Sequence, residues 1–284
     1  MTYPTNRPAV WFVTGASRGL GLALVTHLLN RGDHVAATSR SSERLLSSLA
    51  DVDTTNLLPL QVSLTDEEQV TRAIAETTAR FGRIDIVVNN AGYGYLGAVE
   101  ETSDADVRGM FDVQVNGTWN VVRAVLPQIR ATGSGHIINV SSILGILSFP
   151  GWGLYCAAKF AVEGLSESLA AEVADFGIRV SIVEPGYFNT DFLTDNSLAV
   201  AGNVSDAYPS IREMIATHKA MPGSQLGDPA KAAAALVSVA QENSGRLRQQ
   251  LGSDSSGFAE NKADSLKAEI IAGRELAHST DYDW

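Results

Sequence analysis

The chain is poor in cysteine and in the residue groupings that bind metals. Cys156 is its only cysteine, so an internal disulfide is excluded, and the five histidines match no zinc-ligand spacing. No block of lysine and arginine residues occurs, which argues against a nucleic-acid-binding surface. We therefore predict a protein of a reducing, cytoplasmic environment with no metal site and no nucleic-acid partner.

Long apolar runs are also missing. No stretch of 18 consecutive apolar residues occurs, and the opening MTYPTNRPAVWFVTG lacks the charged and then apolar pattern of a signal peptide. These two absences predict no membrane partner. The composition is nevertheless globular, with 45% hydrophobic and 19% charged residues, and the net charge is −11. An anionic ligand would therefore need a local cluster of basic residues.

What is present is a regular alternation of strand-like and helix-like segments. The predicted strands are short, β-branched and almost continuously apolar, at residues 10–14, 34–39, 57–62, 84–89, 136–140, 178–183 and 247–252. Gly32, Gly82 and Gly177 mark three of the helix–strand junctions. Such strands are typical of parallel sheets buried on both faces. With right-handed crossovers they predict an α/β fold: a doubly wound parallel sheet of about seven strands with helices on both faces.

This pattern predicts a single domain that spans residues 1–284, with two less regular parts. Residues 187–226 follow the sixth strand and contain Gly, Pro, Ser and Asn among helical pieces. Ligands of such sheets bind beyond the carboxyl ends of the strands, so we interpret this segment as a substrate-loop lobe. An ordered surface excursion without a role in binding is the alternative. Residues 255–277 are predicted to form a C-terminal helical tail.

A glycine-rich turn joins the first strand to the first helix in VWFVTGASRGLGLALV. Gly15, Gly19 and Gly21 have the spacing G-x-x-x-G-x-G. Gly15 permits a tight turn, and the other two let the backbone approach a ligand. The free N–H groups at the start of the helix suit a pyrophosphate, so the segment predicts a dinucleotide site.

A second segment, GLYCAAKFAVEGL at residues 153–165, has a phenol and an amine one helical turn apart. Tyr155 and Lys159 therefore point to the same side of a helix. Carbonyl reduction leaves an alkoxide that needs a proton, and a phenol of pKa about 10 supplies it near neutrality only if that pKa falls by about three units. A cation about 5 Å away contributes about 3 kcal/mol at an effective dielectric constant of about 20, which suits Lys159 to this task. On this segment alone, packing at the edge of a core is the alternative.

Four motifs occur in order across residues 10–190: TGASRGLG, then NNAG at residues 89–92, then Ser142 followed by Tyr155 and Lys159, then Pro185-Gly186. In this arrangement the chain resembles the short-chain dehydrogenase/reductase family. The resemblance implies a Rossmann-like fold with the strand order 3-2-1-4-5-6-7, and an oxidoreductase that uses NAD or NADP. It also implies that Tyr155 is the general acid/base and that Lys159 lowers the pKa of Tyr155 and holds the nicotinamide ribose. Ser142 would stabilise the negative charge that develops on the substrate oxygen.

The resemblance extends to Asn116, which lies in VQVNGTW within a predicted long helix at residues 104–130. The family has an asparagine there that supports a water leading to the lysine, which makes Asn116 a fourth candidate catalytic residue. Asparagine is unfavourable in the middle of a helix, and this favours a specific role. An asparagine satisfied within the core is the alternative.

The choice between NAD and NADP depends on the end of the second strand. An acidic residue there would hold the ribose 2′-hydroxyl of NAD, but Ser39 stands at that position and no Asp or Glu lies between residues 35 and 42. Arg40 follows at once and Arg18 lies in the glycine turn, and guanidinium groups suit a 2′-phosphate. The sequence therefore predicts NADP(H), although either arginine alone is also compatible with a solvated surface charge.

The resemblance assigns the remaining cofactor contacts residue by residue. Ser63 stands where the family usually has an aspartate that bonds the adenine, which puts that contact in question. Thr190 matches a threonine that contacts the carboxamide. The predicted cofactor-binding residues are Gly15, Ser17, Arg18, Gly19, Leu20, Gly21, Ser39, Arg40, Ser63, Leu64, Asn90, Ala91, Gly92, Tyr155, Lys159, Pro185, Gly186 and Thr190.

These observations predict an oxidoreductase that transfers a hydride between NADP(H) and a carbonyl or secondary alcohol. The segments expected around the carbonyl are apolar, and residues 143–153 contain no Arg or Lys, so we expect an uncharged, fairly hydrophobic small-molecule substrate. A catalytically idle NADP-binding sensor or partner protein is the alternative function. The resemblance also implies a homo-oligomer, a dimer or tetramer, formed through the long helices at residues 104–130 and 152–176.

Overall fold

Strands and helices alternate along the chain in this computed structural model, which describes residues 3–242 and 244–282. The ends of the predicted domain, residues 1, 2, 283 and 284, lie outside the described residues, and the single-domain interpretation stays a prediction. The strands are β1 Val10–Val13, β2 His34–Ser39, β3 Leu57–Gln61, β4 Ile86–Asn89, β5 Gly94–Leu96, β6 Gly135–Val140, β7 Ile178–Pro185, β8 Leu198–Val200 and β9 Arg248–Leu251. The helices are α1 Gly19–Asn30, α2 Ser42–Ser47, α3 Glu67–Phe81, α4 Asp104–Phe111, α5 Gly117–Thr132, α6 Gly153–Val173, α7 Pro209–Ala220, α8 Pro229–Gln241, α9 Ser253–Ala272 and α10 Arg274–His278.

Seven of the strands form one parallel sheet in the order β3-β2-β1-β4-β6-β7-β9. These are the seven strands that the sequence predicts, and counted among themselves their order is 3-2-1-4-5-6-7. Every residue of β1, β4 and β6 is buried, as expected for central parallel strands covered on both faces. The predicted Rossmann-like, doubly wound α/β fold is therefore confirmed.

Side chains of each strand alternate between two apolar cores. In β1, Trp11 points into the core that contains Leu24 of α1 and Leu236 of α8. Its neighbour Phe12 points into the opposite core, with residues of α3, α5 and α6. Because successive residues of a strand face opposite sides, a continuously apolar strand packs helices on both faces. This leaves the carboxyl ends of the strands as the edge at which loops gather.

Two parts of the structure differ from the sequence-based expectation. The predicted helix at 104–130 is interrupted by a π-helical turn, Asp112–Asn116, which separates α4 from α5. The strands β5 and β8 were not predicted, and they pair in a separate parallel sheet that ties the predicted lobe to the segment after β4. Three-residue strands are too short to show an alternating pattern, which is why the sequence does not reveal them.

The C-terminal tail begins against the main sheet. Helix α9 starts two residues before the predicted tail, and the Ser255 hydroxyl donates to the carbonyl oxygen of Glu184 in β7, at 2.7 Å. The backbone N–H of Tyr187 donates to the Asp254 carboxylate at 2.8 Å. These bonds hold the start of the tail at the carboxyl end of β7. Among the described residues, no helix has the length and apolar character needed to cross a membrane.

Candidate active site

One cavity of about 830 Å³ lies at the carboxyl ends of the central strands. It is lined by the glycine turn, the ends of β2, β3, β4 and β6, the first turns of α6, and the predicted lobe. It brings together 18 of the 20 residues in the predicted site; only Gly21 and Asn116 are not among its lining residues. The 18 are Gly15, Ser17, Arg18, Gly19, Leu20, Ser39, Arg40, Ser63, Leu64, Asn90, Ala91, Gly92, Ser142, Tyr155, Lys159, Pro185, Gly186 and Thr190.

The glycine turn is built for close approach of backbone to backbone. Gly15 has a φ of +66°, and a Cβ there would lie 2.7 Å from the Cα of Ala91. A Cβ on Gly21 would lie 2.4 Å from the carbonyl oxygen of Gly15, so Gly21 packs the start of α1 under the turn. No side chain caps the start of α1, which leaves its first N–H groups facing the cavity. These features fit the pyrophosphate of a dinucleotide.

Thr14 joins this turn to the NNAG segment. Its hydroxyl accepts from the N–H groups of Asn90 and Ala91, at 3.0 and 3.1 Å, and its carbonyl oxygen accepts from the Asn90 amide at 2.9 Å. Asn89 instead donates from its side chain to Asn139, at 2.8 Å, and so ties β4 to β6. The two neighbouring asparagines therefore have different tasks, one at the turn and one between strands.

Three arginines gather at the end of the cavity next to β2. Besides the predicted Arg18 and Arg40, Arg44 lines the cavity, although it was not among the predicted site residues. Burial, and then the positive charges of Arg44 and Arg40, lower the pKa of Arg18. The Ser39 hydroxyl donates to the Ser41 carbonyl oxygen at 3.0 Å, so it is already engaged. The sequence signal for Arg44 was its position at the start of α2, immediately beyond the end of β2.

The end of β3 forms the wall beside these arginines. The Ser63 hydroxyl shares a hydrogen bond with the Thr65 hydroxyl at 2.9 Å, and the Ser63 N–H donates to Gln69 at 3.0 Å. The carbonyl oxygen of Leu64 accepts from Asn120 of α5 at 2.9 Å. Both Ser63 and Leu64 are held at the cavity surface by these bonds, where the sequence predicted an adenine contact.

Tyr155, Lys159 and Ser142 lie together on the cavity wall below the end of β6. Tyr155 and Lys159 are each only 5% exposed. The Lys159 Nζ donates to the carbonyl oxygen of Val140 at 3.0 Å and lies 5.6 Å from the centre of the Tyr155 ring. The Ser142 hydroxyl accepts from the N–H of Leu144 at 3.1 Å and also forms a hydrogen bond with the Tyr155 phenol.

Burial acts on the ionisation of both side chains. It raises the pKa of Tyr155, while the hydrogen bond with Ser142 acts in the opposite direction. Burial lowers the pKa of Lys159 to about 8, and the negative charge of Glu163 acts against that change. Lys159 is therefore charged below about pH 8 and neutral above it.

Asn116 is not part of this arrangement, and the prediction for it is corrected. Its side chain is exposed and donates to the Asp112 carboxylate at 2.9 Å, within the π-helical turn. Gln114 is the buried amide of this turn, and its Nε2 donates to the carbonyl oxygen of Tyr93 at 2.9 Å. Its Oε1 faces Gly92 and has no partner among the described residues. The wider π-helical turn changes which positions face inward, and sequence periodicity cannot reveal that change.

The turn after β7 lies against both the lobe and the tail. The Thr190 hydroxyl accepts from the N–H of Phe192 at 3.3 Å and begins a short 3₁₀ turn of the lobe. A Cβ on Gly186 would lie 2.3 Å from the Asp254 carboxylate, so only glycine allows the tail to pack this closely. The first turn of α9 therefore packs against the backbone at Gly186, while Thr190 is held within the lobe.

Aromatic rings line the part of the cavity around Tyr155. Tyr155 packs edge-on against Trp152 and Phe192, with ring centres 5.5 and 5.7 Å apart. At the mouth, Phe149 packs edge-on against Phe258 of α9, at 5.5 Å. The sequence did not indicate Phe258, because nothing local places the tail beside the site. Tyr95 does not line the cavity, and its hydroxyl donates to Asp106 at 3.1 Å.

Comparison with known proteins agrees with this geometry. A family model described as short chain dehydrogenase matches residues 9–200. Oxidoreductase BOA17 of Botryotinia fuckeliana is 38% identical over 269 residues, which cover 94% of this chain and 97% of that protein. A short-chain dehydrogenase from Streptomyces avermitilis superposes with a TM-score of 0.89 at 39% identity, covering 97% of this chain and 100% of that one.

A second solved structure was determined with a nucleotide. The short chain dehydrogenase from Burkholderia cenocepacia J2315, in complex with NADP, has a TM-score of 0.72 at 28% identity. The match covers 94% of this chain and 97% of that one. From its sequence motifs, its sheet and these similarities, the chain belongs to the short-chain dehydrogenase/reductase family.

Proposed function

We propose that the protein is an NADP(H)-dependent oxidoreductase that interconverts a carbonyl compound and its alcohol, with Tyr155 as the general acid/base. The observation that carries this proposal is the location of Ser142, Tyr155 and Lys159 in the same cavity as the glycine turn. A sensor or partner protein that only bound NADP would have no use for a buried phenol, an amine and a hydroxyl at this point.

The cofactor part of the proposal depends on the two ends of the cavity. The glycine turn fits a pyrophosphate, and Arg18, Arg40 and Arg44 offer three cations to a 2′-phosphate in a chain of net charge −11. The related protein from Burkholderia cenocepacia was crystallised with NADP. Bound NADPH would supply the hydride that reduces the carbonyl carbon.

The protein's own residues would manage the proton and the charge on the substrate oxygen. Ser142 donates its hydroxyl hydrogen to the carbonyl oxygen and stabilises the negative charge that develops there. Tyr155 gives its phenolic proton to that oxygen, so the product is the neutral alcohol and the tyrosine is left as a phenolate. The Lys159 ammonium stabilises the phenolate, and burial of both groups strengthens this attraction.

The walls of the cavity favour an uncharged and hydrophobic substrate. Trp152 and Phe192 pack against the phenol ring, and Phe149 also lines the cavity. The lobe contributes Asp191 and Asp195 to the cavity lining. Residues 143–153 contain no Arg or Lys, so an anionic substrate would find no cationic partner in that stretch. We therefore propose a ketone or aldehyde with apolar substituents, or the corresponding alcohol.

Direct binding and turnover measurements test the proposed function. We expect NADPH to quench or shift protein fluorescence at a lower concentration than NADH, and NADPH to be oxidised in the presence of at least one apolar ketone or aldehyde. Tighter binding of NADH would contradict the cofactor assignment. Tight NADPH binding without turnover across a panel of ketones, aldehydes, sugars and steroids would instead favour the idle NADP-binding protein.

The Phe258→Ala variant tests the substrate end of the cavity. Removing the ring opens the mouth beside Phe149, so kcat/KM for a ketone with a large apolar substituent is expected to fall about tenfold. An acetone-sized ketone does not reach the mouth, and its kcat/KM is expected to stay unchanged. Phe176→Ala, which removes another partly exposed ring far from the cavity lining, is the matched control. Equal losses for large and small ketones would contradict this view of the mouth.

A further inference from the structure

A buried group of charged side chains lies next to Lys159, one helical turn farther along α6. Glu163 is one helical turn after Lys159, so Tyr155, Lys159 and Glu163 follow one another along the same face. Glu163 is 5% exposed, and Glu184 of β7 has no exposed surface. We call Glu163, Glu184 and Arg248 of β9 the carboxylate cluster.

Arg248 is the cation of this cluster. Its Nε lies 3.1 Å from Glu163 and 3.4 Å from Glu184, and its Nη1 lies 3.3 Å from Glu167. A single guanidinium therefore forms ion pairs with three carboxylates. Gln250 adds an uncharged partner by donating to Glu184 at 2.8 Å. The cluster is short of positive charge.

Glu163 is the member that stays ionised. Arg248 is closer to it than to Glu184. Burial raises the pKa of Glu163, and a hydrogen bond with Ser141 and then the charge of Arg248 act against that change. Burial, and then the charge of Glu163, raise the pKa of Glu184 to about 7. Because two adjacent buried carboxylates resist losing both protons, the pair keeps one proton below about pH 7. That proton lies on Glu184, which is farther from Arg248, and Glu163 keeps its charge.

The other titratable groups on α6 and on the segments packed against it do not supply this charge. Tyr155 on the same helix is neutral in its resting state, because burial raises its pKa. From α4 and the π-helical turn, which also pack against α6, Asp106 accepts from Ser103 and Asp112 accepts from Asn116 at the surface. Glu163 is the negative charge that acts on Lys159 from within the core.

We propose that Glu163 is a positioning residue that keeps the Lys159 side chain protonated, and that Arg248 in turn keeps Glu163 ionised. The catalytic consequence depends on the proposed function, but the electrostatic coupling does not. A purely structural ion cluster would stabilise the fold without changing the protonation of Lys159.

The sign of the coupling follows from the charges. Burial alone would make Lys159 give up its proton at a lower pH, and the Glu163 carboxylate opposes this. Replacing Glu163 by an uncharged side chain therefore moves the Lys159 titration to lower pH. Ketone reduction needs the ammonium, so the alkaline limb of its pH profile moves to lower pH by the same amount.

The titration of Lys159 can be measured without cofactor or substrate. The chain has five lysines, all among the described residues, and Lys159 is the only buried one. Protein labelled with ¹³C at lysine Cε is titrated by NMR, with the Lys159 signal assigned by its loss in Lys159→Arg. The wild-type midpoint is expected at about pH 8. In Glu163→Gln we expect it about one pH unit lower, a tenfold weaker hold on the proton.

Glu184→Gln is the matched control, since it removes a carboxylate of the same cluster and leaves Glu163 with Arg248. We expect the Lys159 midpoint in Glu184→Gln to stay at or above the wild-type value. An unchanged midpoint in Glu163→Gln, or an equal fall in Glu184→Gln, would overturn the proposal. The same two variants assayed for NADPH-dependent ketone reduction should show the alkaline limb displaced only in Glu163→Gln.

A second pair of variants keeps the test decisive if Glu163→Gln does not fold. Arg248→Lys retains a cation beside Glu163, whereas Arg248→Gln removes it and lets a proton bind there. We expect the Lys159 midpoint to fall in Arg248→Gln and to stay within about 0.3 pH units of wild type in Arg248→Lys. Equal midpoints in the two would also overturn the proposal. An inactive wild type with these NMR shifts present would instead refute only the proposed function.

Discussion

A Tyr155→Phe variant is expected to bind NADPH as tightly as the wild type and to reduce ketones about 1,000-fold more slowly. The phenyl ring fills the space of the phenol and keeps its packing against Trp152 and Phe192. What it lacks is the proton for the substrate oxygen, and no other described side chain lies in the same place on the wall. The measurement is kcat/KM with NADPH, together with the NADPH dissociation constant from fluorescence.

The control for this variant is Tyr95→Phe. Tyr95 is also a buried tyrosine, but its hydroxyl bonds Asp106 and the residue does not line the cavity. We expect Tyr95→Phe to change stability without a comparable change in kcat/KM. Wild-type turnover by Tyr155→Phe would remove the proposed mechanism, and a loss of NADPH binding would mean that the phenol serves the cofactor and not the proton transfer.

The double variant Arg40→Ala, Arg44→Ala is expected to weaken NADPH binding about 100-fold while changing NADH binding less than about threefold. Each charged hydrogen bond to a phosphate contributes about 1.5–3 kcal/mol, and both arginines stand at the exposed rim of the cavity. NADH has no 2′-phosphate, so the loss should be confined to NADPH. Fluorescence titration with both nucleotides measures the ratio.

Salt and a distant arginine provide the controls for the double variant. Rim charges are screened by salt, so the wild-type preference for NADPH should shrink as ionic strength rises, and the variant should show little salt dependence. Arg72→Ala removes an exposed arginine of α3 that does not line the cavity, and it should leave both affinities unchanged. Equal weakening of NADPH and NADH in the double variant would show that these arginines do not recognise the 2′-phosphate.

Assembly and location depend on more than the packing within one chain. The homo-oligomer predicted through residues 104–130 and 152–176 and the cytoplasmic location both stay predictions. So does the interpretation of residues 187–226 as a substrate lobe, although β8 pairs with β5 and Phe192 of this segment lies against Tyr155.

The glycine turn, the seven strands and the Tyr155–Lys159 pair could all be predicted from the sequence. Each depends on residues close together in the chain: a turn needs its glycines, a buried strand its apolar run, and a helix brings positions four apart to one side. The strand order also needed the resemblance to the family, because right-handed crossovers allow more than one order of such strands.

Local sequence patterns did not predict the position of a residue where backbone conformation or a distant segment determines that position. Asn116 was predicted to lie near the lysine, but the π-helical turn exposes it and buries Gln114 instead. Phe258 reaches the cavity because Asp254 and Ser255 fix the start of the tail at β7. Neither feature has a signature in the few residues around it.

The sequence by itself determined the strands of the sheet, the glycine turn and the spacing of phenol and amine, since each of these depends on residues close together in the chain. Only the tertiary structure decided what surrounds the amine. Lys159 is buried, and the carboxylate that opposes the cost of its burial is held by Arg248, 85 residues beyond Glu163 in the chain. The strength of a charge interaction depends on distance and on exclusion of water, and both are set when α6, β7 and β9 pack together.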